Sequence, residues 1–463
     1  MPGTTLVREA PLPVWTRPTP APPIQHKRVY HDDTAATSFG FPVALIYLFA
    51  LFSLGTEFSL ALLGVKPYLT WICGPLGMIA AIASGNLFRT WKPGPGRWLI
   101  LFTLWMLLAL PLSYYKTGSL DVMTEYTTRQ LPALFLLAAL VTSLRQVEWF
   151  CRMMAFAGLF LLVMCVKFGG YSDNRFMIPG TSLENPNDFA THLLIAMPFC
   201  LLLVLNSGGF LKILGIAGVG GLTLTILRSG SRGALIALLA VIALLFWRLS
   251  GAQRASLVAI CVVGGGLAVA IFPQVLWERF KTVFSSDPTP QNNAETASDS
   301  RTLELAESSS NARWYILKRS LEFTVKNPVF GLGPGNFAVA EAGLAKEQGK
   351  RGFWLGTHNS YTQASSEGGI PAFLFFTATV VSAIRANLRI HGLTRKHREF
   401  RSIANTALCL TLTLFGFAVN ILFSHLAYRY YLPMLAGLTV AFSTLAEREI
   451  QAVLTPNRNG NRS

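Results

Sequence analysis

Charge is what this sequence has least of. Only 13% of its 463 residues are Asp, Glu, Lys or Arg, against about a quarter in an ordinary soluble domain. That shortfall excludes a typical soluble enzyme. Cysteine is sparse and its spacing carries no motif: Cys73, Cys151, Cys165, Cys200, Cys261 and Cys409 lie in or beside apolar stretches with no CxxC pair. They read as small core hydrophobes, which excludes a disulfide framework or a thiolate metal site. GLGPGNF at 331–337 lacks the GKS or GKT ending of a phosphate loop, and the chain has no GxSxG, no HExxH and no DxD-like acidic pair. No cofactor or metal is called for. A signal peptide is missing as well, since residues 1–40 hold seven prolines within the first 23 positions and no apolar run of the needed length.

Apolar sequence is abundant, at 52%. Runs of about eighteen or more nearly uncharged residues recur, each long enough to cross roughly 30 Å of hydrocarbon. Twelve candidate spans follow, at 41–63, 67–87, 97–115, 122–143, 149–168, 187–205, 210–228, 231–249, 255–273, 369–386, 403–423 and 428–446. An even number puts both termini on one side. That side carries 21 Lys and Arg on its tails and loops, against eight on the short loops opposite, so both termini are expected in the cytoplasm.

The fold class is therefore an all-α integral membrane protein of about twelve transmembrane helices. It divides into a disordered Pro-rich cytoplasmic tail (1–40), nine spans (41–273), a long, partly helical extracytoplasmic loop (274–368), three spans (369–446) and a cytoplasmic tail (447–463). The net charge of +16 has two ordinary sources, cytoplasmic helix ends and contact with anionic lipid phosphates. No RNA- or DNA-binding signature accompanies it, so nucleic acid is set aside as a partner.

The long loop is subdivided. Residues 285–310 are polar and acidic and read as a linker; 311–326 place Trp314, Leu317, Leu321 and Val325 at helical spacing, predicting an amphipathic helix over the membrane-facing side. Asn327-Pro328 stops it, and GLGPGNF supplies a tight turn.

Three clusters could carry chemistry. Arg228 and Arg232 flank a Ser-Gly-Ser turn that opens a helix, so guanidiniums, backbone N–H groups and a dipole end converge on a site suited to phosphate. Arg232, in the first helical turn, opposes the dipole at roughly 0.3–1 kcal/mol, which a bound anion would offset; snorkelling of both arginines to the interface is the plainer alternative. Arg313 and Arg429 read as further cations at helix starts. His358, in Gly-Thr-His-Asn-Ser-Tyr with Asn359 beside it and Glu367 following, stands at the membrane edge, where an imidazole can take a proton from a hydroxyl or serve only as a structural residue. Asn185 and Asn187 flank Pro186, with Asp188 next, and read first as a helix cap.

The order NPND, then SRGA at a span start, then an Arg in a loop helix followed by NPVFGLGPGNF, then HNSY with EGG after it, resembles the O-antigen ligase and O-antigen polymerase superfamily, from about Thr181 to Gly369. The resemblance implies a GT-C-like membrane architecture in the bacterial inner membrane with a periplasmic active site. It implies a metal-independent, inverting glycosyltransferase that takes a glycan from undecaprenyl pyrophosphate. The acceptor would be lipid A-core in a ligase or another lipid-linked glycan in a polymerase. By the family pattern Arg232 and Arg313, helped by Arg228, would hold the pyrophosphate, and His358 would meet the reacting hydroxyl. The Pro-rich tail and the 285–310 linker depart from the pattern.

Two other classes compete. A lipid-linked glycan transporter should show internal repeats and ionisable residues at mid-span; no repeat is evident, and Glu57 is the clearest charge within a span. A scaffold leaves the arginines and His358 without a shared purpose.

Overall fold

The computed structural model describes residues 34–271, 274–281, 297–349 and 354–454. Most of the N-terminal tail, the stretch 282–296 of the expected linker, and the chain after 454 lie outside these residues.

Helix starts follow the capping chemistry of the sequence. Thr34 and Thr37 form a capping box for α1 (Ala35–Phe52). The apolar run continues, but at Leu54 the backbone turns left-handed (φ +55°) and α2 (Gly55–Leu63) begins. The span expected at 41–63 is thus two helices. Next come α3 (Leu69–Ala83) and α4 (Pro95–Ala109), which opens on a proline at its first position. The span expected at 122–143 is also divided: α5 (Lys116–Glu125) passes through a π-turn at Tyr126–Gln130 into α6 (Pro132–Leu140). The capping box of Ser143 and Gln146 starts α7 (Leu144–Phe168), and a short hairpin of β1 (Gly170–Ser172) and β2 (Arg175–Met177) follows.

Asn185 caps α8 (Pro186–Asn206); α9 (Gly209–Arg228) leads through a turn capped by Ser231 into α10 (Arg232–Arg248). Then come α11 (Gly251–Ile271), α12 (Gln274–Lys281), α13 (Ala297–Lys326), α14 (Phe337–Glu347), α15 (Ser360–Thr394), α16 (Arg401–Asn420) and α17 (Tyr431–Leu454).

Seven helical stretches among the described residues are long and apolar enough to cross a membrane: Ala35–Phe52, Pro95–Leu112, Leu144–Phe168, Pro186–Asn206, Gly209–Arg228, Ser360–Thr394 and Arg398–Asn420. Helix also occupies the other five expected spans, in a different form. α3 and α10 are short at 15 and 17 residues, the α5–α6 stretch is divided, α11 ends where the described residues break off, and α17 carries Glu447, Arg448 and Glu449.

The buried core is one cluster in which α8, α16 and α17 are enclosed by α1, α4, α6, α7 and α15. Close approach uses small residues, as apolar bundles require: a Cβ on Gly437 of α17 would lie 2.6 Å from the Leu134 carbonyl of α6. Five cysteines are buried as expected, whereas Cys261 is exposed on α11.

The loop helix differs from expectation in two ways. α13 begins at Ala297, so half of the expected linker is helical, its Glu and Ala residues favouring helix over coil. Spacing also revealed only one of its two apolar faces, the outer one. Trp314, Leu321 and Val325 are exposed, while Ile316 and Phe323 pack with Leu332, Phe337 and Ala340 into a second small cluster.

Candidate functional site

The site is assembled from helix starts and the two loops that brace them. Asn185 caps α8 by accepting from the Asn187 N–H at 2.9 Å. The Asn187 side-chain Oδ1 then accepts from Ser231 Oγ at 2.9 Å and from Arg175 Nη2 at 2.8 Å. Because Ser231 is itself the cap of α10, Asn187 ties the start of α8 to the start of α10. Asn185 and Asn187 are therefore braces, as their capping chemistry suggested.

Arg232 is the first residue of α10, and Gly233 beside it lets the loop 421–430 approach: a Cβ there would lie 2.6 Å from Phe423. Arg313 comes from the third turn or later of α13, not from a helix start as expected. Burial lowers the Arg313 pKa, and the nearby Arg232 guanidinium lowers it further. The two cations share one region, which two like charges tolerate poorly unless an anion lies between them.

His358 adopts a left-handed backbone at φ +49°, a conformation that costs a non-glycine residue about 1–2 kcal/mol. It is held there by the loops on either side. Asn359 caps α15 through the N–H groups of Tyr361 and Thr362. Ser360 Oγ donates to the Ser424 carbonyl at 2.7 Å and accepts from the Leu426 N–H at 2.8 Å, while Gln363 accepts from the Ala427 N–H. The loop 421–430 is thereby laced to the first turns of α15. Burial, then the charges of His425 and Arg313, push the His358 pKa down to about 3, so the imidazole is neutral at pH 7 and has a free lone pair for a proton.

Glu367 is a clasp. Its buried carboxylate accepts from the N–H of Gly335 at 2.9 Å, the N–H of Phe337 at 3.3 Å and the Tyr428 hydroxyl at 2.7 Å. Backbone bonds from Leu332 to Ser366 and from Gly333 to Glu367 fasten the GLGPGNF turn along the same helix. Gly369 kinks α15 there at φ +75°, where a Cβ would lie 2.2 Å from the Val329 carbonyl. The turn braces α13 against α15.

Two expected anion ligands stand differently. Arg228 ends α9 and is exposed; it donates to the Tyr171 hydroxyl at 3.0 Å and lies 4.8 Å over the Phe176 ring, facing the hairpin. Arg429 is an exposed loop residue ahead of α17, not the opening of a helix. It acts electrostatically on Asp188 and His425.

Sequence reasoning missed one member of the group, His425, and read another, Asp188, only as part of a helix cap. His425 packs edge-to-face on His358 with ring centroids 5.2 Å apart, and Asp188 in the first turn of α8 acts on its charge. Asp188 had a signal, an ionisable residue at the head of an apolar helix; His425 had none beyond its type.

Residues 217–377 match the family described as O-antigen ligase.

No curated protein matches the chain. The O-antigen ligase segment contains Arg228, Arg232, Arg313, His358, Asn359 and Glu367, while Asp188, His425 and Arg429 lie outside it. The match agrees with the resemblance of the motifs to the O-antigen ligase and polymerase superfamily. Over residues 217–377 the chain is thus similar to the O-antigen ligase family, and its membrane-length helices suit a multi-pass membrane protein.

Proposed function

We propose that the chain is an O-antigen ligase-like glycosyltransferase. It moves a glycan from undecaprenyl pyrophosphate to an acceptor hydroxyl, that of lipid A-core, at the periplasmic face of the bacterial inner membrane. The observation that carries this reading is the nearness of Arg232 to Arg313, and of Arg313 to a neutral, half-buried His358. Arg232 and Arg313 bind the pyrophosphate and stabilise the charge that develops on it as the anomeric bond breaks; forked guanidiniums suit that task. His358 takes or orients the proton of the attacking hydroxyl. Direct attack from the face opposite the leaving group inverts the anomeric centre. Arg429 tunes the charge around the pair, and Arg228, facing the hairpin, supports the turn that carries Arg232.

A polymerase differs only in its acceptor, a second lipid-linked glycan. The test is transfer by purified protein in detergent with EDTA, offering both acceptors separately. Wild type should form product on lipid A-core. Arg232→Ala, Arg313→Ala and His358→Ala should each lose about a hundredfold or more, the usual effect of removing one transition-state donor. Product on the lipid-linked acceptor alone would reassign the chain as a polymerase. Undiminished rates in the three variants would overturn the site. Export of intact donor into vesicles, with no transfer, would favour a transporter.

A further inference from the structure

Two histidines meet in this site, and only one belongs to the O-antigen ligase segment. His425 sits between α16 and α17, its ring against His358 and pressed by the backbone of the opposing loop: a Cβ on Gly356 would lie 3.0 Å from it. Its Nδ1 is buried with no hydrogen-bond partner. The loop around it is otherwise well satisfied, with Ser360, Ser424, Gln363, Leu426 and Ala427 all paired. An unpaired buried nitrogen is costly, and a side chain kept only to fill space would not need one. Charge around it is uneven. Asp188 faces it from α8, Arg429 from its own loop, His358 from the loop before α15, and Arg313 of α13 reaches the pair through His358. Asp188 is therefore on the His425 side, and Arg313 is on the His358 side.

We infer that His425, backed by Asp188, relays the proton that His358 takes from the acceptor hydroxyl. The inference rests on the transfer reading above. As the acceptor oxygen bonds to the anomeric carbon, the bond from that carbon to the pyrophosphate oxygen breaks and its electron pair leaves with the lipid pyrophosphate. The hydroxyl proton goes to His358. An imidazolium there would stand beside Arg313; a rotation of the touching His425 ring that brings its unpaired Nδ1 onto His358 lets the proton pass and moves the charge toward the Asp188 carboxylate. His425 then gives its Nε2 proton to bulk water and returns to the Nε2–H tautomer by exchange with water, so that His358 is neutral and Nδ1 is open for the next turnover. His425 and Asp188 act through His358 and are positioning residues, not groups that touch the substrate.

The test uses the full chain in detergent and measures donor binding and transfer separately across pH. His425→Ala should bind the lipid-pyrophosphate donor within twofold of wild type, transfer at least tenfold more slowly, and regain part of the rate when imidazole is added. Asp188→Asn, which removes the group that favours protonated His425, should move the acid limb of the pH–rate curve to lower pH. A His425→Ala protein at full rate, or one slowed with donor binding intact and no response to imidazole, overturns the relay. Should His425→Ala fail to fold, Asp188→Asn decides, and an unmoved acid limb overturns the relay equally. A wild type that transfers nothing sinks the transfer reading and the relay together. A wild type that transfers and depends on Arg232, alongside a fully active His425→Ala, sinks the relay alone.

Discussion

At the scale of single residues, His358 trades stability for chemistry. It is a half-buried imidazole on a left-handed backbone at φ +49°, a conformation that asparagine adopts with less strain. His358→Asn should therefore unfold at the same temperature as wild type or higher, while transferring nothing; a destabilised variant would show that the ring is mainly packing. Acid should also weaken the fold. The His358 pKa is about 3 in the folded chain against an ordinary 6.5, and that of His425 is lowered by burial and by Arg429, against the opposing pull of Asp188. Between those values the unfolded chain binds protons that the folded chain does not, so stability is full above about 6.5 and declines as pH falls. Thermal unfolding in detergent at pH 7.5 and 5.0 should show the lower midpoint at 5.0, with a narrower gap in His358→Asn. Arg232 and His358 were legible because their types stood in informative positions. His425 was not, since its significance is a contact with a residue far away in sequence.

At the scale of elements, glycines separate structural need from tolerance. Gly369→Ala places a methyl against the Val329 carbonyl on a left-handed backbone and should cost several-fold in folded yield and transfer. Gly220→Ala on α9 meets nothing within 4 Å and should stabilise by about 0.5–1 kcal/mol from helix propensity alone. Thermal midpoints of the two purified variants check this, and equal midpoints would refute it. The caps at Ser143 and Asn359 went unread, whereas helix starts were readable at Asn185 and Ser231, where a cap stood before an apolar run. The breaks were not. Leu54 and the π-turn at Tyr126–Gln130 interrupt apolar sequence because of how neighbouring helices pack. The buried face of α13 was likewise undecidable from spacing, since Ile316 and Phe323 compete with Trp314 and Leu321 at the same period.

At the scale of the whole molecule, α15 sets the geometry. Beyond its kink at Gly369 it runs on to Thr394, about 37 Å at 1.5 Å per residue, enough to carry the chain from one side of a bilayer to the other. The His358 end and the Thr394 end should therefore open onto opposite sides. With Cys261 replaced by serine, a membrane-impermeant maleimide should label Lys346→Cys in intact spheroplasts and Arg395→Cys only after lysis, both positions being exposed. The reverse pattern would invert the orientation expected from charge, and equal labelling would remove α15 as a span. The clasp at Glu367 has a further consequence for how this chain can change by descent. One carboxylate is shared by the Gly335–Phe337 turn and by Tyr428, so damage at any of these places unmakes the same brace. Once one is lost, losing a second adds little, and in a library of double variants these positions should behave as one heritable unit, with restoring changes confined to the same small group.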